Sequence, residues 1–165
     1  MKKIGNYTFF WKAKIGQWTK SPFTDNEGIK YCCAEQYMFS KKALLFGDIE
    51  SNFKIMDTNS PKEQQKLGRL VKDFNQKIWD LNKVGIVRNA NIYKFSQNKD
   101  LYDVLISTKG TELVEASPYD KIWGIGMGVD EKGITDPLNW KGENLLGSIL
   151  TELRDGDCIS ILIEE

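Results

Sequence analysis

The chain has 165 residues, enough for one domain with a single core, and its 41% apolar and 12% aromatic content is typical of a folded protein. Its 23 basic residues balance 23 acidic ones, so net charge supplies no long-range attraction to nucleic acid or anionic membrane. The absence of histidine excludes Ser–His and Cys–His catalytic pairs and argues against a zinc site with ordinary ligands.

Three cysteines, Cys32, Cys33 and Cys158, form neither a disulfide framework nor a Cys-x-x-Cys metal spacing. We therefore expect a reducing, cytoplasmic location, no metal and no cofactor. Cys32 and Cys33 are expected to be packing residues, because free cysteine is among the most buried residue types. The first six residues lack the apolar run of a signal peptide, and no window is long enough to span a membrane.

The predicted elements of the first third of the chain are a strand, a turn and a helix. Aromatic residues at 7–11 indicate a short strand, and 24–28 has the composition of a turn, followed by an extended piece at 29–33. Residues 34–46 have the pattern of a helix that ends at Gly47.

A second helix is predicted over 61–78, with Ser60 as its cap and Pro61 at its first position. One apolar stripe is expected along it: Leu67, Leu70, Val71, Phe74 and Ile78. Trp79 would end this helix, and a further helical stretch covers about 84–95.

The last third contains a short helix at 98–105, an extended piece at 111–116, a helix at 144–154 and an apolar, strand-like tail at 158–163. Helix outweighs strand, and the two do not alternate regularly. The pattern predicts an α+β fold, a helix-dominated single domain with small β elements. We expect this domain to cover 1–165, with its core at about 7–154 and a short extension at 155–165.

The 34–46 helix carries an unusual polar pair. Glu35 and Lys42 are seven residues apart, so they return to nearly the same face, which is otherwise apolar. A charge buried there needs a partner or a ligand. Two interpretations remain open: the side chains reach solvent at the edge of the stripe or pair with charges elsewhere, or else they carry catalytic chemistry.

Residues 115–128 form a glycine-rich segment that cannot be ordinary helix. Asp120 and Trp123 precede Gly124 and Gly126, which favours close approach of the backbone to a flat or phosphorylated ligand, or else an ordinary turn. Two further candidates for ligand binding are Arg69 and Trp79. Arg69 would contact a phosphate or else be a solvated side chain. Trp79 would line a pocket for a planar ring or else be a core residue.

Together these pieces resemble the NADAR family of YbiA-like N-glycosidases. The segments that carry the resemblance are 21–23, 34–38, 42–48, 67–69, Trp79, 94–98, 113–117, 120–126 and 140–147. One departure is Gln36, because family members often have histidine after the glutamate that begins this helix.

The resemblance implies hydrolysis of an N-glycosidic bond, without a metal, by Glu35, Lys42 and Asp120. The implied substrate is a riboflavin-synthesis intermediate or an ADP-ribosylated guanine in a nucleoside or DNA. Arg69, Trp79, Trp123, Gly124 and Gly126 would bind it. The residues leave open whether Lys42 acts as a cation or forms an imine, and which catalytic role belongs to Glu35 and which to Asp120. They also leave open whether the chain is instead a non-catalytic ADP-ribose or nucleotide-binding module.

Overall fold

Short strands and six helices make up the regular structure of the computed structural model, which describes residues 1–156 and Ile159. The predicted strand at 158–163 falls largely outside the described residues. The strands are β1 Lys2–Ile4, β2 Tyr7–Phe10, β3 Phe23–Thr24, β4 Lys30–Tyr31 and β5 Glu112–Glu115. The helices are α1 Ala34–Leu45, α2 Ile49–Asp57, α3 Pro61–Gly68, α4 Gln76–Gln97, α5 Lys99–Ile106 and α6 Leu145–Asp155. The α+β class, dominated by helix, is confirmed.

The chain folds as two compact units. One combines Met1–Gly16 with the segment that begins at Lys99, and the other is Gln17–Asn98. The expectation of a single domain over 1–165 stays a prediction.

The first unit contains a three-stranded sheet in the order β1-β2-β5. β1 and β2 pair antiparallel, whereas β2 and β5 run parallel with Tyr7 opposite Glu112 and Phe10 opposite Glu115. Helix α6 packs against β5. The core of this unit joins the sheet to the glycine-rich segment: Phe9, Val114, Ala116, Ile125, Met127 and Ile134.

Asn144 joins β5 to the start of α6. Its side-chain Oδ1 accepts the Glu115 N–H at 2.9 Å, and its Nδ2 donates to the Leu113 carbonyl at 3.0 Å. Its backbone is left-handed (φ 54°), a conformation that asparagine tolerates better than most residues. The backbone N–H of Asn144 also donates to the Gly124 carbonyl at 3.2 Å. The side chain of Asn144 therefore holds β5, and its backbone N–H holds the glycine-rich segment at Gly124.

The second unit is built around α1, which packs against α2, α3 and α4. Helix α1 is buried on nearly every side, which explains why it shows no clean amphipathic stripe. Beside it lies an aromatic cluster in which neighbouring ring centroids are 4.9–6.1 Å apart. Its members are Phe23, Tyr31, Tyr37 and Tyr93.

The predicted helix at 61–78 is wrong, because the chain turns between α3 and α4. Ser60 caps α3 as expected, but the helix ends at Gly68, and Asp73 adopts a left-handed conformation (φ 53°). Asn75 then caps α4 by accepting the Ile78 N–H at 3.1 Å. The predicted 84–95 helix is the middle of α4, and the predicted stripe is lost since Leu70, Phe74 and Ile78 are exposed.

Helix α2 was not predicted from the sequence. Its cap is Asp48, whose Oδ1 accepts the Ser51 N–H at 3.0 Å and whose Oδ2 accepts the Lys72 N–H at 2.9 Å. The same carboxylate therefore begins α2 and holds the turn that follows α3. Ile55 is the one fully buried apolar residue of α2, whereas Ile49 and Phe53 are exposed, so the apolar spacing of this segment does not mark its buried face.

Replacing Asn144 with Ala is expected to lower the free energy of unfolding by roughly 2–4 kcal/mol, because the buried Leu113 carbonyl and the Glu115 N–H would lose their partners. Urea unfolding followed by circular dichroism measures this loss. The control is Asn59→Ala, which replaces an exposed asparagine and should leave stability within about 0.5 kcal/mol of the parent. Equal stability of the two variants would contradict the structural role of Asn144.

Candidate active site around Lys42

Helix α1 buries both members of the polar pair. Glu35 is 4% exposed in the first turn and Lys42 is 9% exposed in the last turn, so neither side chain reaches freely into solvent. The Glu35 N–H donates to the Gln17 carbonyl at 3.2 Å, which ties the start of the helix to the preceding segment.

Three aromatic rings and one carbonyl surround the Lys42 amine. Its Nζ donates to the Gly68 carbonyl at 2.9 Å. It lies 4.3 Å from the centroid of Phe74, 5.6 Å from that of Trp79 and 5.9 Å from that of Phe39. Such rings attract an ammonium group through their faces, but they exclude the water that would solvate it.

Burial lowers the pKa of Lys42 below its ordinary value, and the positive charge of Arg69 lowers it further. Within the described part of the chain, no carboxylate pairs with Lys42, and in particular Glu35 and Lys42 form no ion pair. Because no neighbouring anion holds the proton, this environment favours the neutral amine more than an ordinary lysine site does.

Gly68 is a site residue that the sequence marked only as part of a motif. A Cβ on Gly68 would lie 1.9 Å from Cδ1 of Phe39, so no other residue fits without displacing the ring. The close approach brings the Gly68 carbonyl to the Lys42 amine. Phe74, predicted as a core residue, is also placed at this amine and packs edge-on against Phe46 at 5.3 Å.

Arg69 and Trp79 lie on either side of the turn between α3 and α4. Arg69 is exposed and follows the last residue of α3, and its charge acts on Lys42. Trp79 is 8% exposed and belongs to the first turn of α4 rather than to the end of the preceding helix. The second unit thus brings Lys42, Arg69 and Trp79 together.

Gln36 has a structural set of contacts. Its Oε1 accepts the Cys32 N–H at 2.8 Å, and its Nε2 lies within 3.1–3.3 Å of the carbonyls of Ile55, Met56 and Thr58. The amide therefore fastens α1 to the end of α2. These contacts need a side chain with both a hydrogen-bond donor and an acceptor, and an amide supplies both. They do not need a general acid.

The other predicted site residues share the glycine-rich segment of the first unit. Asp120 Oδ1 accepts the N–H groups of Ile122 and Trp123 at 2.9 and 2.8 Å, which closes a tight turn. Its Oδ2 makes no hydrogen bond within the described chain. One carboxylate oxygen of Asp120 thus shapes the turn, and the predicted contact of Asp120 with a ligand stays a prediction.

Gly124 and Gly126 are held by the backbone of the same unit. The Gly126 N–H donates to the Asp120 carbonyl at 2.9 Å, and Gly126 adopts a left-handed conformation (φ 65°) that its lack of Cβ permits. Gly124 is buried, whereas Trp123 is half-buried. These contacts give both glycines a role in shaping the turn, and their predicted contact with a ligand stays a prediction.

Across residues 1–156 and Ile159, no cluster of three or more Cys, Asp or Glu side chains is arranged to hold a metal ion. No helix in the same residues has the length and apolarity needed to cross a membrane.

The family follows from residues 5–156, which match the model described as the NADAR domain. The chain belongs to the NADAR family. It is 44% identical over 146 residues to the protein named N-glycosidase R617 from Acanthamoeba polyphaga mimivirus, covering 86% of this chain and 85% of that one. A maize chloroplast protein named riboflavin biosynthesis protein PYRR is 34% identical over 111 residues, 65% of this chain and 16% of the maize protein.

The fold matches the NMR structure of the E. coli protein YbiA with a TM-score of 0.76 and 26% sequence identity, covering 95% of this chain and 88% of that one. The family and fold expected from the sequence are therefore confirmed.

The Arg69→Met variant is expected to raise the pKa of Lys42, because it removes the cation that acts on the amine. Acetylation of Lys42 by acetic anhydride across a pH series, read by peptide mass spectrometry, gives the pH at half-maximal rate. We expect this pH to lie below that of an exposed lysine in the parent and to move upward in the variant.

Lys41 is the internal control for this titration. Burial acts to lower the pKa of Lys41, but its contacts with Glu27 and Asp25 raise it overall. The pKa of Lys42 should therefore lie below the ordinary lysine value, and that of Lys41 should lie above it. Identical pH profiles for Lys41 and Lys42 would contradict the desolvated site.

Proposed function

We propose that this protein is an N-glycosidase, a hydrolase that breaks the bond between the first carbon of a ribosyl group and a nitrogen on a heterocyclic base. The observation that carries the proposal is the buried Lys42 amine, which aromatic rings surround and which pairs with no carboxylate among residues 1–156 and Ile159. The name of the mimivirus relative supports the same reaction class.

In the proposed mechanism, Lys42 acts as a nucleophile on the opened sugar. Its neutral amine attacks the first carbon of the ribose, the base departs with its nitrogen protonated, and water then hydrolyses the resulting imine. The lowered pKa of Lys42 raises the fraction of neutral amine at a given pH. An amine paired with a carboxylate would resist this role, since the pair favours the charged form.

Glu35 and Asp120 are proposed as the acid–base groups. Departure of the base develops positive charge at the sugar and requires a proton on the leaving nitrogen, tasks that carboxyl groups perform in glycosidases. Glu35 is buried in the first turn of α1, the helix that carries Lys42. Asp120 has one oxygen committed to its turn and one available to assist at the sugar.

The proposed binding residues supply stacking and charge. Trp79 and Trp123 would stack on the base, and the exposed guanidinium of Arg69 would bind a phosphate. Gly124 and Gly126 would let the glycine-rich segment approach the sugar-phosphate closely. A phosphate on Arg69 would also offset the charge that lowers the pKa of Lys42, so binding and chemistry are coupled through this residue.

A nucleotide-like small molecule is the proposed substrate class. Two forms fit the residues: a phosphoribosyl intermediate of riboflavin synthesis, which the name of the maize relative favours, and ADP-ribosylated guanine in a nucleoside or DNA. We propose a cytoplasmic location, because both substrate forms are intracellular metabolites or modified nucleic acid.

The Glu35→Gln variant is expected to lose at least 100-fold in kcat while it retains its fold, because it removes one carboxylate without changing side-chain shape. Release of free base from a phosphoribosylaminopyrimidine and from ADP-ribosylated guanosine, followed by chromatography, measures the loss. The control is Glu63→Gln, which replaces a partly exposed glutamate in the first turn of α3.

Full activity of Glu35→Gln would exclude Glu35 from catalysis. Binding of either compound without release of base by the parent protein would instead favour a non-catalytic ADP-ribose or nucleotide-binding module. Such a module would not need a desolvated lysine.

A further inference from the structure

Phe74 differs in exposure from the other two rings that surround the Lys42 amine. Phe39 and Trp79 are each 8% exposed, whereas Phe74 is 41% exposed. Even so, the centroid of Phe74 is the nearest of the three to Nζ of Lys42, at 4.3 Å against 5.6 and 5.9 Å. The Phe74 ring therefore lies between a buried amine and solvent.

The two buried rings are held in place by their neighbours. Phe39 lies against Gly68, where even a Cβ would come within 1.9 Å of its Cδ1. Trp79 belongs to the first turn of α4, and its N–H donates to the Asn75 carbonyl at 3.0 Å. Either ring could move only by displacing buried atoms, because protein interiors are closely packed. Phe74 can instead turn into solvent.

The backbone on both sides of Phe74 is anchored, so this motion is confined to the side chain. On one side the Lys72 N–H donates to Asp48 Oδ2 at 2.9 Å. On the other side the Asn75 side chain caps α4 by accepting the Ile78 N–H at 3.1 Å. Exposed side chains change rotamer within nanoseconds, far faster than an enzyme turns over.

Phe46 holds the ring in its closed position. The two rings meet edge-on with their centroids 5.3 Å apart, and Phe46 is itself only half-buried at the end of α1. An edge-on pair of this kind adds a modest stabilisation to the closed position. The Phe74 ring is thus kept over the amine without the close packing that fixes Phe39.

We infer that Phe74 is the gating residue of the Lys42 site: its ring closes the solvent side of the amine and turns outward to admit the reacting carbon of a substrate. The position that the ring vacates lies between Phe46 and the amine, and it suits a planar group attached to that carbon. The role of Phe74 toward a substrate rests on the proposed function, whereas its control of access to the amine does not.

Labelling of Lys42 by trinitrobenzenesulfonate, a flat aromatic electrophile, tests the gate without any substrate. Peptide mass spectrometry measures the rate across a pH series. The limiting rate at high pH reports the neutral amine alone, so access is separated from ionisation. Minor conformations of a two-state protein are populated at about 0.1–10%, so Phe74→Ala, which leaves the amine open, should raise this limiting rate about tenfold or more. Phe74→Leu retains part of the bulk and should raise it less.

The matched control is Phe53→Ala, because Phe53 is a 72% exposed phenylalanine of α2. It should leave the limiting rate of Lys42 unchanged, and Lys41 should keep its parental rate in every variant. A limiting rate of Lys42 in folded Phe74→Ala equal to that of the parent would overturn the inference. So would an equal increase in Phe53→Ala. If thermal unfolding shows that Phe74→Ala is unfolded, Phe74→Leu decides by the same comparison.

The gate and the proposed function fail in different measurements. Faster labelling of Lys42 in Phe74→Ala, in a protein that releases no base, would support the gate and contradict the glycosidase. Release of base by a parent protein whose Lys42 is labelled as fast as that of Phe74→Ala would support the glycosidase and overturn the gate.

Discussion

The removal of water from the Lys42 amine is the constraint on which the rest of the candidate site depends. A lysine at this depth normally gains a carboxylate partner, whereas in the described part of the chain Lys42 has aromatic faces and a single carbonyl instead. The arrangement costs stability in the charged form, because the ammonium is poorly solvated there. Because the ammonium form is destabilised, a larger fraction of Lys42 carries a neutral amine at a given pH. Cleavage through an imine requires such a nucleophilic amine.

Backbone geometry creates this environment more than side-chain chemistry does. Helix α3 ends at Gly68, and the turn that follows places Arg69, Phe74 and Trp79 around one amine. Asp48 holds the turn through the Lys72 N–H, and hydrogen bonds of the backbone lower the pKa of this carboxylate to about 2. The turn therefore stays anchored over the whole range of pH in which Lys42 would work.

Local sequence signals predicted the elements that have caps and periodic apolar residues. Strand β2 and the start of α3 at Ser60 and Pro61 are examples. The break between α3 and α4 was missed, because it depends on a left-handed Asp73 and a cap at Asn75 within a continuous helical pattern. The acceptor for Lys42 was missed for a different reason: it is a backbone carbonyl, whose position has no side-chain signature.

The most direct test of a nucleophilic Lys42 is chemical trapping during turnover. Sodium cyanoborohydride is added to the protein with an ADP-ribosylated guanosine or a phosphoribosylaminopyrimidine, and the peptides are mapped by mass spectrometry. The account predicts a reduced sugar adduct on the peptide that contains Lys41 and Lys42, assigned to Lys42 by fragmentation and lost in Lys42→Arg. Release of base with no adduct at Lys42 would contradict it.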